Sequence, residues 1–156
     1  MQHLCIININ KLIVKLSLIL EYKAEAAETI IRVFTGVLFL FQGYDKLFKV
    51  KMSGVIATFS EEAEHHHIHK PWVTIVAYYT SVVEFFGGFL LIAGLFTNYS
   101  LILLGFDMVL VGFAFSVMNP VWDMRHVFPR LMLLIILLLI PNEWNKISLD
   151  FLFKLN

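Results

Sequence analysis

Four apolar runs, divided by brief polar breaks and one long polar stretch, organise this chain. The first spans about Thr29 to Tyr44 and ends on Asp45-Lys46. The second covers Trp72 to Phe96, and the third Tyr99 to Met118. The fourth runs from about Val127 to Ile140, where Pro141 closes it. A helix needs roughly 20 predominantly apolar residues to cross a bilayer, which the second and third runs supply. The fourth has a short pure core, Leu131 to Ile140, and must borrow Arg130 and the Trp144 region to cross. The pattern predicts an all-α fold, a transmembrane four-helix bundle with both termini on one side.

The connections differ. Thr97-Asn98 reads as a tight turn that makes a hairpin of the second and third helices. Asn119-Pro120 ends the third, because proline disfavours helical backbone at the residue before it. The stretch from Phe48 to Pro71 reads as a long polar loop, with Lys49, Lys51, Glu61, Glu62, Glu64 and the run His65-His66-His67-Ile68-His69. At the start, Lys11 and Lys15 interleave with Leu12, Ile13, Val14, Leu16, Leu18, Ile19 and Leu20. No small-residue cleavage site follows, since Leu20-Glu21-Tyr22-Lys23 is wrong for one. A basic amphipathic helix on the membrane surface, or a weakly ordered leader, fits. The expected organisation is therefore a leader or interfacial helix over 1–27 and a four-helix membrane domain over 28–156, with no internal repeat.

Composition agrees with a membrane protein. The chain is 59% hydrophobic and 15% charged, against about 45–50% and about 25% in soluble domains. Its mean hydropathy is +0.78. Basic and acidic residues balance at 12 each, so no basic surplus points to nucleic acid. The single Cys5 excludes an intrachain disulfide and a thioredoxin-like dithiol. Charge does not orient the chain. Lys11, Lys15, Lys23, Arg32, Lys146 and Lys154 fall on the terminal side, and Lys46, Lys49, Lys51, Lys70, Arg125 and Arg130 on the other.

Glu84 is the only formal charge in the second run. An acid near mid-bilayer costs several kcal/mol, roughly 2.5–3.5 on insertion scales for Asp, so such residues pair or serve a purpose. Counted from the terminal side at 1.5 Å per residue, Gln42 lies about 20 Å deep, Glu84 about 18 Å and Asp107 about 12 Å. Arg130, just inside the opposite mouth, can reach toward Glu84. Gln42, Glu84 and Arg130 could thus share one polar pocket, ringed above by Asp45, Lys46, Asp123, Arg125 and His126. A structural reading makes Glu84 and Arg130 an ion pair, with Gln42 bonded across helices. A functional reading has the buried carboxyl relay protons or receive a polar headgroup. Asp107 is close enough to the interface to snorkel. Arg32 reads as an interfacial anchor.

The histidine run invites zinc or copper through His65 and His69, or His65, His67 and His69. It sits beside three glutamates with no spaced second half, so a solvated loop is expected and no metal site. Gly36 and Gly43, Gly87, Gly88 and Gly94, and Gly105 and Gly112 are small residues at helical spacing, which let membrane helices approach closely. Trp72, Trp122 and Trp144 fall near predicted helix ends, as in an aromatic belt.

The first helix reads Arg32-Val-Phe-Thr-Gly36 through Gln42-Gly43-Tyr-Asp-Lys46-Leu47, and the second Glu84-Phe-Phe-Gly87-Gly88 through Gly94-Leu-Phe-Thr97. With the closing Ser148-Leu149-Asp150, these stretches resemble the DoxX family of small bacterial membrane proteins, related to the DoxD subunit of thiosulfate:quinone oxidoreductase. The resemblance covers about residues 28 to 152. Asn98 stands where a basic residue often follows the threonine, and Pro141-Asn142-Glu143 replaces a glycine-proline-glycine. The resemblance implies a multi-pass four-helix bundle in the bacterial inner (cytoplasmic) membrane with cytoplasmic termini.

The leading expectation is a small quinone-linked redox or proton-relay subunit. Glu84 would accept or donate the proton, Arg130 would tune its charge, and Asp107 would offer a route to the terminal side. Gln42, Lys46 and His126 would help hold the headgroup. No flavin, haem or dithiol motif is visible, so electrons would come from a partner redox subunit or a soluble donor. The alternatives are a non-catalytic scaffold, docking a partner through the Phe48–Pro71 loop, and a small-solute or metal-ion carrier. The lipid bilayer is the expected surround, with a homo-oligomer left open.

Overall fold

A computed structural model describes residues 2–118 and 124–154, with side chains for 15–20, 22–60, 63–117 and 127–154. Every regular element among them is helical. The order is α1 (Gln2–Tyr44), a π-helical turn (Asp45–Lys49), α2 (Lys51–His65), α3 (Lys70–Ala93), α4 (Thr97–Met118), α5 (Met124–Leu139), a 3-10 turn (Asn142–Trp144) and α6 (Leu149–Phe153). Helix α1 packs on α3, α3 on α4, α4 on α5, and α5 returns to α1. Among the described residues, α3 and α4 are long and apolar enough to cross a membrane, while the apolar part of α5, Val127–Leu139, is shorter.

Two features depart from the sequence expectation. The backbone of residues 2–28 runs into the first apolar run without a break, so α1 is one helix of 43 residues. At 1.5 Å per residue that is about 64 Å, twice a hydrocarbon core of about 30 Å. Most of the expected Phe48–Pro71 loop is also helical. In α2, Met52, Val55, Phe59 and Ala63 recur at helical spacing, and burial of Val55 and Ala63 gives that face a purpose.

The termini of α3 follow from local chemistry. Extended His69 and then Pro71 in the first turn open it, proline's fixed φ suiting that position. Gly94 closes it with φ 64°, while the Leu95 N–H reaches the Leu90 carbonyl at 3.0 Å. That left-handed cap favours glycine. Space demands it as well, since a Cβ on Gly94 would meet Ser148 Cβ at 2.6 Å and Arg32 Nη1 at 2.7 Å.

The α1–α3 crossing depends on absent side chains. A Cβ on Gly36 would meet the Gly88 carbonyl at 2.8 Å, and one on Gly43 would meet the Phe85 Cα at 2.7 Å. Gly88 in turn lies against the backbone of Leu40. Gly105 and Gly112 do not share this role. Nothing lies within 4 Å of a Cβ built on Gly105, and Gly112 has only ordinary contact with Val127 at 3.8 Å. Their helix meets its neighbours through Leu101, Leu104 and Met108 instead, in a core shared with Phe39, Leu91 and Leu134.

Candidate functional site

The buried stripe of α1 is Glu25, Glu28, Arg32, Thr35, Phe39 and Gly43, at steps of three and four. Lys46 comes three residues after Gly43, and the π-helical turn keeps it on helical backbone. Because Gly43 lets α1 touch α3 at Phe85, Lys46 arrives beside the neighbouring Glu84. Its Nζ donates to Glu84 Oε2 at 2.6 Å. Sequence reasoning placed Lys46 in the ring at the mouth and gave Glu84 to Arg130. The structure corrects both assignments. Arg130 stands close enough for its charge to act on Glu84, but the ion pair belongs to Lys46.

Glu84 and Asp107 are both 0% exposed. Among the described residues, Glu84 keeps one carboxylate oxygen, Oε1, without a hydrogen-bond partner, and Asp107 keeps both. Gln42 Oε1, one turn before Lys46, is buried and unpartnered too. Asp107 lies within electrostatic reach of Glu84 and Lys46, so it belongs to this cluster and does not snorkel to the interface. The structure therefore gathers Lys46 from the π-helical turn after α1, Glu84 from α3, Asp107 from α4 and Arg130 from α5. Formal charges in that set cancel. Unpaired acceptors at such depth are expensive, which marks them as places where a proton or a donor group can be received.

Other expected members stand elsewhere. Asp45 turns outward and pairs with Lys49 at 2.8 Å. Asp123 lies outside the described residues; Arg125 and His126 are on the backbone of α5, but their side chains lie outside those described. His65 ends α2, His66 and His67 form the following turn, and His69 precedes α3, all exposed. Among the described residues, no three His, Cys, Asp or Glu side chains gather as metal ligands.

A second polar centre was missed. Arg32 is not an interfacial anchor but one of the most buried side chains, 1% exposed. Its Nε donates to Glu28 Oε1 at 2.8 Å, Nη1 to the Leu91 carbonyl at 2.8 Å and Nη2 to the Ile147 carbonyl at 2.6 Å. Beside it, the Asp150 carboxylate accepts from the N–H groups of Phe96 and Thr97, both at 2.7 Å. One guanidinium and one carboxylate thereby tie the chain's end to the α3–α4 hairpin. The sequence signal was present in the spacing of Glu25, Glu28 and Arg32, which sets all three on the face later occupied by Phe39.

The outer surface completes the picture. Phe113 is 69% exposed and Leu139 78%, while acids fill the interior. Water would reverse that arrangement, and lipid explains it. The DoxX family model matches residues 27–117, more than half of the chain. The chain belongs to the DoxX family. It is a DoxX-like membrane protein, and the match takes in Lys46, Glu84 and Asp107 but stops short of Arg130 and Asp150. Comparison with curated proteins and with solved structures finds no match. The glycines, Arg32, Thr97 and Asp150 that carried the DoxX resemblance are here packing and fastening residues, whereas Glu84 and Lys46 hold charge in the interior.

Proposed function

We propose that this DoxX protein is a four-helix, multi-pass protein of the cytoplasmic membrane that serves a quinone as a redox-linked or proton-relay subunit. The observation that supports it best is the pair of fully buried carboxyl groups, Glu84 and Asp107, with open oxygens beside Lys46. Quinone reduction consumes two electrons and two protons. Electrons come from a partner subunit or soluble donor. This chain's part is to orient the headgroup and move protons. Lys46 and the amide of Gln42 donate to its oxygens, and Glu84 passes a proton through the oxygen that Lys46 leaves open. Asp107 reloads Glu84 from the terminal side. Arg130 and Lys46 together offset the two carboxylates once the proton has left, so the unloaded pocket carries no net charge.

A test uses proteoliposomes containing decyl-ubiquinone, a chemical reductant and a pH-sensitive dye on the terminal side. The proposal expects alkalinisation on that side with the native chain, and at least a tenfold slower change with Asp107→Asn although quinone still binds. Equal rates for the two proteins would remove the relay. A second reading, a non-catalytic scaffold, draws on the α1 extension, where Leu16, Leu18, Ile19 and Leu20 are all exposed. It expects Asp107→Asn and Glu84→Gln to assemble and act normally.

A further inference from the structure

Apart from the buried charges, the described residues enclose a cavity of about 220 Å³ between α2, the first half of α3 and the second half of α4. Val55 and Phe59 of α2, Ala77 of α3 and Ala114 of α4 form its walls, and Lys46 is the one charged residue that lines it. Trp72 and Phe113, 64% and 69% exposed, stand at its rim, so the cavity reaches the lipid-facing surface. Helix α2 roofs it and meets α4 through Phe59 and Phe115, whose ring centroids are 5.7 Å apart. Lys51 and His67, at φ 60° and 58°, bracket that roof in a backbone conformation side-chain-bearing residues rarely adopt.

Well-packed interiors leave few voids larger than a water molecule. An apolar cavity of ~150 Å³ already takes a benzene-sized guest. This one therefore suits a ring or a stretch of chain and is too small for a whole lipid. A guest without polar atoms would leave Lys46 unused, and a guest polar along its length would meet mostly apolar walls, with only Thr80 and Trp72 adding uncharged polar groups to the lining. An ammonium has three donors, and Glu84 takes one of them.

We propose that the cavity is a lipid-facing seat for a membrane amphiphile, whose ring or chain lies among Phe59, Ala77 and Ala114 and whose terminal oxygen accepts a hydrogen bond from Lys46. Prenylquinones and fatty acids share this chemistry. The seat goes beyond the proton relay, because it holds whether or not its guest is redox-active.

The test labels the full chain, in phosphatidylcholine nanodiscs, with a diazirine-bearing palmitate and maps the sites by peptide mass spectrometry. Saturable labelling is expected on the segments 72–80 and 110–117, at about one probe per chain. Ala114→Phe should lower it at least tenfold and leave unsaturable labelling around Phe86 and Phe106 unchanged. Displacement by decyl-ubiquinone assigns the seat to quinones; displacement by unlabelled palmitate alone assigns it to fatty acids. Labelling spread over all exposed faces, or displaced by neither competitor, overturns the seat. The map of the unaltered chain decides this even if Ala114→Phe does not fold. Palmitate has no redox chemistry, so this failure is separate from a failure of the proton relay.

Discussion

Arg32 and Glu84 illustrate two uses of a buried charge. Arg32 commits each of its three guanidinium nitrogens to an acceptor, so its role is mechanical. Removing one partner of a buried pair costs about 3–5 kcal/mol, since the other charge stays behind. Arg32→Ala should therefore lower resistance to unfolding in mild detergent by an amount in that range. Arg32→Lys should recover little of it, because a compact ammonium cannot reproduce the planar fork. Full stability in Arg32→Lys would show that the three-way grip is unimportant. Glu84, by contrast, has one oxygen held and one open. The sequence exposed Glu84 and Asp107 plainly, because each is a lone charge in an apolar run. It hid the partner of Glu84, because Asp45-Lys46 ends a run and so looks like a mouth. Only the step of three from Gly43 betrays that Lys46 faces inward.

At the scale of elements, the close approach of α1 and α3 decides which charges meet. Gly88→Ala would push a Cβ into the backbone of Leu40. Overpacking of this kind costs roughly 1–3 kcal/mol. Gly105→Ala meets open space and should be neutral or stabilising by up to about 1 kcal/mol, the helix-propensity gain. Thermal unfolding of the two variants side by side checks the contrast. Equal effects would mean that the crossing is not glycine-dependent. Spacing alone ranked both glycine sets alike, since seven residues apart describes a face without saying what that face meets. Helix α2 was missed for a related reason. Its apolar positions are sparse and its flanks charged, so it read as loop until α3 supplied something for Val55 and Ala63 to cover.

For the whole molecule, an interior with acids and a surface with phenylalanines places the chain in lipid. The proposed four crossings would put the α2–α3 connection and the segment around α6 on opposite sides. In a Cys5→Ser background, His66→Cys and Lys154→Cys should then react with an impermeant maleimide from opposite faces of sealed vesicles. Labelling from one face for both would contradict the four-span topology. Helix α6 and the segment before it are fastened to the α3–α4 hairpin by Asp150 and Arg32, and the proposed guest site lies around Lys46, α2 and the cavity. The central proposal is that Lys46, held in place by Glu84, donates to a quinone headgroup seated beside the open Glu84 oxygen. Its most direct measurement is extraction of purified, lipid-embedded protein for bound quinone, native chain against Glu84→Gln, with both shown to be folded. Near-stoichiometric quinone in the native chain and at least a tenfold loss in Glu84→Gln is the expected result. No quinone in either protein, or equal amounts in both, would contradict it.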